Sequence, residues 1–187
     1  MLSDISVIDD GYEIVNLPFA FQWRGQVNYI QVVVDSNGLV YPGNVTKLGD
    51  MHSLALFQFI GVWWQDLVPS IAGNIYVANV DGVFVISWEG VPQYDGGLPD
   101  NSLNFQVALH PGGNIEIRWG DGNPPIDRDT SGRVGIFDDA AGVAVPATRF
   151  SFDNEAYGAG FSARFPSNQC QIFVVTAVGN YIEWLWT

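Results

Sequence analysis

Between Leu17 and Leu39 the chain reads as strand, tight turn, strand, turn. From Val27 to Val34, Ile30, Val32 and Val34 fall on one face, while Asn28 and Gln31 interrupt the rest. That period of two marks a strand with at least one buried face. Asp35-Ser36-Asn37-Gly38 closes it, because Asn and Gly accept the positive φ that tight turns require. A short strand is predicted ahead of it, with Tyr12, Ile14 and Asn16 alternating against Glu13 and Val15. Val40 to Asp50 reads as a polar connector.

The most apolar run is Ala55 to Trp64, ended by Gln65 to Ser70. Gly73-Asn74 opens a hairpin whose arms carry Ile75 and Val77, then Phe84, Ile86 and Trp88, joined at Asp81-Gly82. Asp-Gly between two apolar runs is a strong two-residue turn signal. After a turn-rich loop from Val91 to Ser102, Leu103, Phe105, Val107 and Leu109 alternate with Asn104, Gln106 and Ala108. Beyond Pro111-Gly112-Gly113, Ile115, Ile117 and Trp119 alternate with Asn114, Glu116 and Arg118. These two runs predict a hairpin with one wet face. Arg133 to Phe137 is a further short strand, residues 140–168 carry no clear period, and Ile172–Val178 with Tyr181–Trp186 form a last hairpin. No helical apolar spacing is sustained, and no repeat of 20–50 residues is present. Short strands with turns every eight to twelve residues predict an all-β fold, an antiparallel β-sandwich forming a single domain over 1–187.

Composition narrows the functional classes. The chain has 187 residues, 48% hydrophobic and 14% charged, with seven Trp, seven Tyr and twelve Phe, which is ample material for one large core. A net charge of −13 with only seven Lys and Arg argues against nucleic-acid binding and against docking on anionic lipid. Cys170 is the sole cysteine, so no internal disulfide forms, and its apolar neighbours predict a buried thiol. The segment Met1 to Asp10 has neither a basic stretch nor a continuous apolar run, so either a chain synthesised in the cytoplasm without a signal peptide or an excised domain carrying a start Met is expected.

Taken in order, several pieces resemble the nidogen-like (NIDO) domain family and its bacterial and phage relatives. They are Leu17-Pro-Phe-Ala-Phe21, Gly25-Gln26, Val33-Val-Asp-Ser-Asn-Gly38, Phe59 to Asp66, Gly73-Asn-Ile-Tyr-Val77, Val85 to Tyr94, Asn104 to Leu109, Gly113 to Gly120 and Val134-Gly-Ile-Phe137. The likeness covers about residues 12–145 as a nidogen-like core, leaving 146–187 as an additional loop and C-terminal hairpin. It implies an extracellular β-sandwich module used in adhesion or matrix contact, without a shared active site.

No catalytic residues are assigned. The two histidines, His52 and His110, stand in a connector and beside a turn, and neither a nucleophile elbow nor a zinc-helix motif occurs. Asp66 and Glu89, each following a Trp-containing strand, are the carboxylates that a glycosidase reading would use. Asp121, Asp127 and Asp129 crowd one loop and could hold calcium, although their spacing is not that of an EF-hand. Trp63 and Trp64 are adjacent and therefore face opposite ways in a strand, so one packs inward and the other lies under a loop, on a partner or in water; both are candidate partner contacts. Ile182, Trp184 and Trp186 share a face of the last strand and form a candidate assembly surface. Trp23, Tyr94 and Trp119 are candidate sugar-stacking platforms, with core packing the favoured use for most of them.

The expectation is a non-enzymatic structural or adhesion sandwich, a bacteriophage virion surface protein of capsid-decoration, tail-decoration or fibre type. It would act through contacts with other structural proteins, as a homo-oligomer or within a larger assembly. The alternative is a carbohydrate-binding adhesion module with a glycan partner, and a glycosidase-like enzyme stands third.

Overall fold

The computed structural model describes residues 3–5, 7–23, 27–43, 59–94, 102–119, 133–137, 161–165 and 173–176, the side chains as far as 118. Among the described residues there are twelve strands: β1 (Ser3–Ile5), β2 (Tyr12–Trp23), β3 (Val27–Asp35), β4 (Leu39–Pro42), β5 (Phe59–Trp64), β6 (Asn74–Val80), β7 (Val83–Pro92), β8 (Ser102–Leu109), β9 (Ile115–Trp119), β10 (Arg133–Phe137), β11 (Phe161–Phe165) and β12 (Phe173–Thr176). They form two antiparallel sheets, one of order β1-β6-β7-β8-β9-β11-β12 and one of order β10-β5-β4-β3-β2. No helix occurs among the described residues. The protein is an antiparallel β-sandwich, as the alternation predicts. Strands β11 and β12 continue the first sheet beyond β9, so residues 161–165 and 173–176 belong to that sheet.

The sheets face each other across an aromatic stack. Trp88 on β7 lies over Phe105 on β8 at 5.0 Å between ring centroids, with planes 17° apart. From the opposite sheet, Trp63 on β5 lies 6.3 Å from Phe105. All three are buried, together with Leu103, Val107, Leu109, Ile115 and Ile117 from the β8–β9 hairpin. The parity predicted for that hairpin therefore holds on its core side. The other side is not wet: Gln106 and Ala108 are buried, and so is Glu116. Arg118 donates to Glu116 Oε1 from Nε and Nη2 at 2.9 and 2.8 Å, which offsets the burial of that charge.

Several expectations about faces are corrected around β2 and β3. Val32 and Val34 are core, but Ile30 is 68% exposed. The cause is a register shift: Asn16 pairs with Gln31 and Phe21 with Tyr29, so β2 spends five steps where β3 spends two. An odd excess of residues swaps the faces, and Tyr29 takes the inward place that Ile30 would have held. On β2 the inward residue is Val15, whereas Tyr12 and Ile14 are exposed. The stretch expected to be a connector begins instead with β4, whose Leu39, Val40 and Tyr41 are fully buried.

Candidate functional site

Asp35 to Gly38, which reads in sequence as an ordinary surface turn, lies inside the protein. Asp35 and Ser36 are fully buried and Asn37 is nearly so. The local chemistry makes the turn: Asp35 Oδ1 accepts the Asn37 N–H at 2.7 Å, and Gly38 takes φ +75°. No other residue fits at Gly38, since an added Cβ would stand 2.3 Å from the Trp63 carbonyl oxygen. That close approach lets Gly38 O accept from Val62 N at 2.9 Å and Trp63 N at 3.4 Å, an irregularity that places both Val62 and Trp63 in the core.

The turn also ties distant segments together. Trp88 Nε1 donates across the sandwich to Asp35 O at 3.2 Å. Ser36 N donates to Gly11 O at 2.9 Å. Asn37 bridges two more: its Oδ1 accepts the Leu67 N–H at 2.7 Å, and its Nδ2 donates to Asp10 Oδ1 at 3.1 Å. Beside it, Gln65 Oε1 accepts from Trp63 Nε1 at 3.2 Å and Gln93 Nε2 at 2.8 Å.

At the outer rim of this network Asp9, Asp10 and Asp66 each place a carboxylate oxygen within 4.8 Å of the others. Asp9 and Asp10 are exposed and Asp66 is half-buried. Oxygens so arranged suit a hard cation or the N–H groups of a partner. Tyr94, 61% exposed, lies alongside, its N–H bonded to Asp66 O at 2.9 Å. Burial pushes Asp35 from its ordinary 3.8 up to about 7; the Asn37 N–H bond opposes the rise and the charge of Asp10 adds to it. Burial also raises Tyr41, with the Asp35 charge contributing. On β7, burial raises Glu89 while a hydrogen bond from Ser87 Oγ at 3.2 Å lowers it.

Of the residues singled out in sequence, Trp63 is core and is withdrawn as a partner contact. Trp64 is half-buried, edge-on to Phe59 at 5.4 Å. Trp23 is buried and is no sugar platform, which leaves Tyr94 as the exposed aromatic of that set among the described side chains. Asp66 joins Asp9 and Asp10, whereas Glu89 sits with Ser87 on β7. The calcium candidates Asp121, Asp127 and Asp129, and the assembly candidates Ile182, Trp184 and Trp186, lie outside the described residues. Asp9 and Asp10 were missed by the sequence reading; their only local signal is an Asp-Asp-Gly turn before β2.

The sandwich fold defines the class of protein, and a family comparison narrows it. The family model described as NIDO related matches residues 2–177, nearly the whole chain and more than the span of the quoted motifs. The chain belongs to the NIDO-related family. Comparisons with curated proteins and with solved structures gave no match.

Proposed function

We propose that this chain is a non-enzymatic structural or adhesion module that works through protein–protein contacts, as a surface component of a larger particle such as a bacteriophage virion. The observation that carries the reading is where apolar side chains reach the surface. Of the seven large hydrophobic residues exposed among the described ones, Tyr12, Ile14, Val27 and Ile30 lie on β2 and β3, at one edge of the five-stranded sheet. Apolar side chains gathered on two paired strands suit a contact with another structural protein, copies of this chain included. The strongly acidic composition keeps such a module off nucleic acid and favours contacts with neutral or basic protein surfaces.

The test is assembly. Light scattering of the purified chain should show an oligomer that Tyr12→Ser with Ile30→Ser reduces to monomer while the circular dichroism spectrum is retained. A wild-type monomer that also fails to appear by mass spectrometry in purified particles from its source would end the reading. A glycan-binding alternative is supported by Tyr94, an exposed ring on a segment whose main chain is bonded to that of Asp66, since sugar sites stack their ligand on exposed aromatic rings. Binding on a glycan array that Tyr94→Ala removes would favour it.

A further inference from the structure

We infer that Asp35 is a proton-operated latch: with its carboxyl neutral, the Asp35–Gly38 turn holds the two sheets and the segment before β2 together, and ionisation loosens that hold. The position carries the argument. The main chain of Asp35 receives the indole of Trp88 from the opposite sheet, and the next two residues bind Gly11, Asp10 and Leu67. Its side chain is fully buried, and only Oδ1 has a donor, the Asn37 N–H; Oδ2 has none. Ser36 Oγ and Tyr41 Oη are likewise buried without a partner.

A carboxylate stripped of water needs donors on both oxygens, and one N–H on one oxygen leaves the anion poorly satisfied. Among the described residues, the groups that face Asp35 do not help it ionise. Asp10 approaches from the segment before β2 and is itself clustered with Asp9 and Asp66; Tyr41 faces it from β4; from β7 comes the neutral indole of Trp88. Among the described residues, the basic side chains His110 and Arg118 pair with Glu116 instead. The upward push on Asp35 to about 7 agrees with this geometry.

The sign runs opposite to that of a salt-bridged aspartate. Between the unfolded value of 3.8 and the folded value of about 7, the native protein holds a proton that the unfolded chain has released. The stabilisation is therefore complete below the unfolded value of 3.8, declines as pH rises from there and is gone once pH has passed about 7.

Thermal unfolding between pH 5.5 and 8.5 tests the latch, because ordinary carboxylates are already ionised throughout that window. The wild-type midpoint should fall by roughly 5 °C or more, and Asp35→Asn, which keeps the acceptor for Asn37 and removes the charge, should flatten the dependence. His110→Gln should keep the wild-type slope. A flat wild-type profile, an unchanged slope in Asp35→Asn, or a slope abolished by His110→Gln would each overturn the proposal. Should Asp35→Asn fail to fold, carbon NMR of the native Asp35 carboxyl decides: a midpoint near 7 sustains the latch and one below 5 refutes it. Amide exchange of Ser36, Asn37 and Leu67 should also accelerate with pH beyond the base-catalysed rise seen in β7 and β8. Uniform acceleration across the sheets would refute a local latch.

Discussion

Asn37-Gly38 and Asp81-Gly82 are the same kind of turn in sequence and opposite kinds in the folded protein. Both glycines take positive φ, +75° and +82°, and both pairs end one strand just before another begins. Asp81 and Gly82 are exposed, and a Cβ on Gly82 would meet nothing within 4 Å. Asn37 and Gly38 are packed between the sheets, with the backbone of Trp63 where a Cβ would go. One turn only reverses the chain. The other reverses it and serves as the joint on which β5, β7 and the segment before β2 converge. Similar Asx-Gly turn residues thus reverse the chain in both places, and the surroundings set how much each turn matters energetically.

The largest effects should follow from breaking the buried turn. Gly38→Ala adds strain at a left-handed backbone position and a clash with main chain, neither of which a rotamer change relieves. A loss of about 5 kcal/mol, or no folded protein at all, is expected in urea denaturation. Phe105→Ala comes next. Its ring lies between Trp88 and Trp63, and its Cζ would be 3.3 Å from a Cβ on Gly38, so truncation opens a cavity under the same joint. A loss of about 4 kcal/mol is expected, and an unchanged urea midpoint would show that the stack does not hold the sheets.

Much of the frame was legible because alternation records which side of a strand is apolar. The β8–β9 hairpin, the Asp81–Gly82 turn and β10 follow directly from it. Alternation fails where the strand itself is irregular: β2 keeps one parity inward from Val15 through Phe21 to Trp23, whereas β3 changes faces between Tyr29 and Val32 and so leaves Ile30 outside. β4 was hidden because its four residues are flanked by Asn37-Gly38 and Gly43-Asn44, which read as loop. Burial of polar residues is hidden for a different reason. Asp35, Ser36 and Gln106 look solvated by composition, and only the packing of other segments covers them. The carboxylates at the rim come from distant parts of the chain, so nothing in either local sequence announces that Asp10 and Asp66 meet.

Asn37→Ala separates the linking role of the buried turn from its shape. The backbone can keep its course, but the Leu67 N–H loses its 2.7 Å acceptor in a buried place and Asp10 loses its donor. A cost of about 2 kcal/mol is expected, with most of it from the stranded N–H. Amide exchange at Leu67 should rise more than at Ile86 in β7. Equal protection at the two sites would mean that Asn37 is only a turn former.

Gly82→Ala supplies the control at the exposed turn and should have the smallest effect. An alanine there meets no atom, so its only cost is the left-handed φ of +82°. That cost is about 1 kcal/mol, and part of it is recovered because alanine restricts the unfolded chain more than glycine does. The β6–β7 register runs without interruption from Asn74↔Glu89 to Val80↔Val83, so seven cross-strand pairs hold the arms whatever the turn prefers. A shift of a few degrees in melting temperature is therefore expected, against the collapse expected for the same substitution at Gly38. If the two substitutions proved equally damaging, burial would not be what distinguishes the turns, and the joint assigned to Asp35–Gly38 would lose its physical basis.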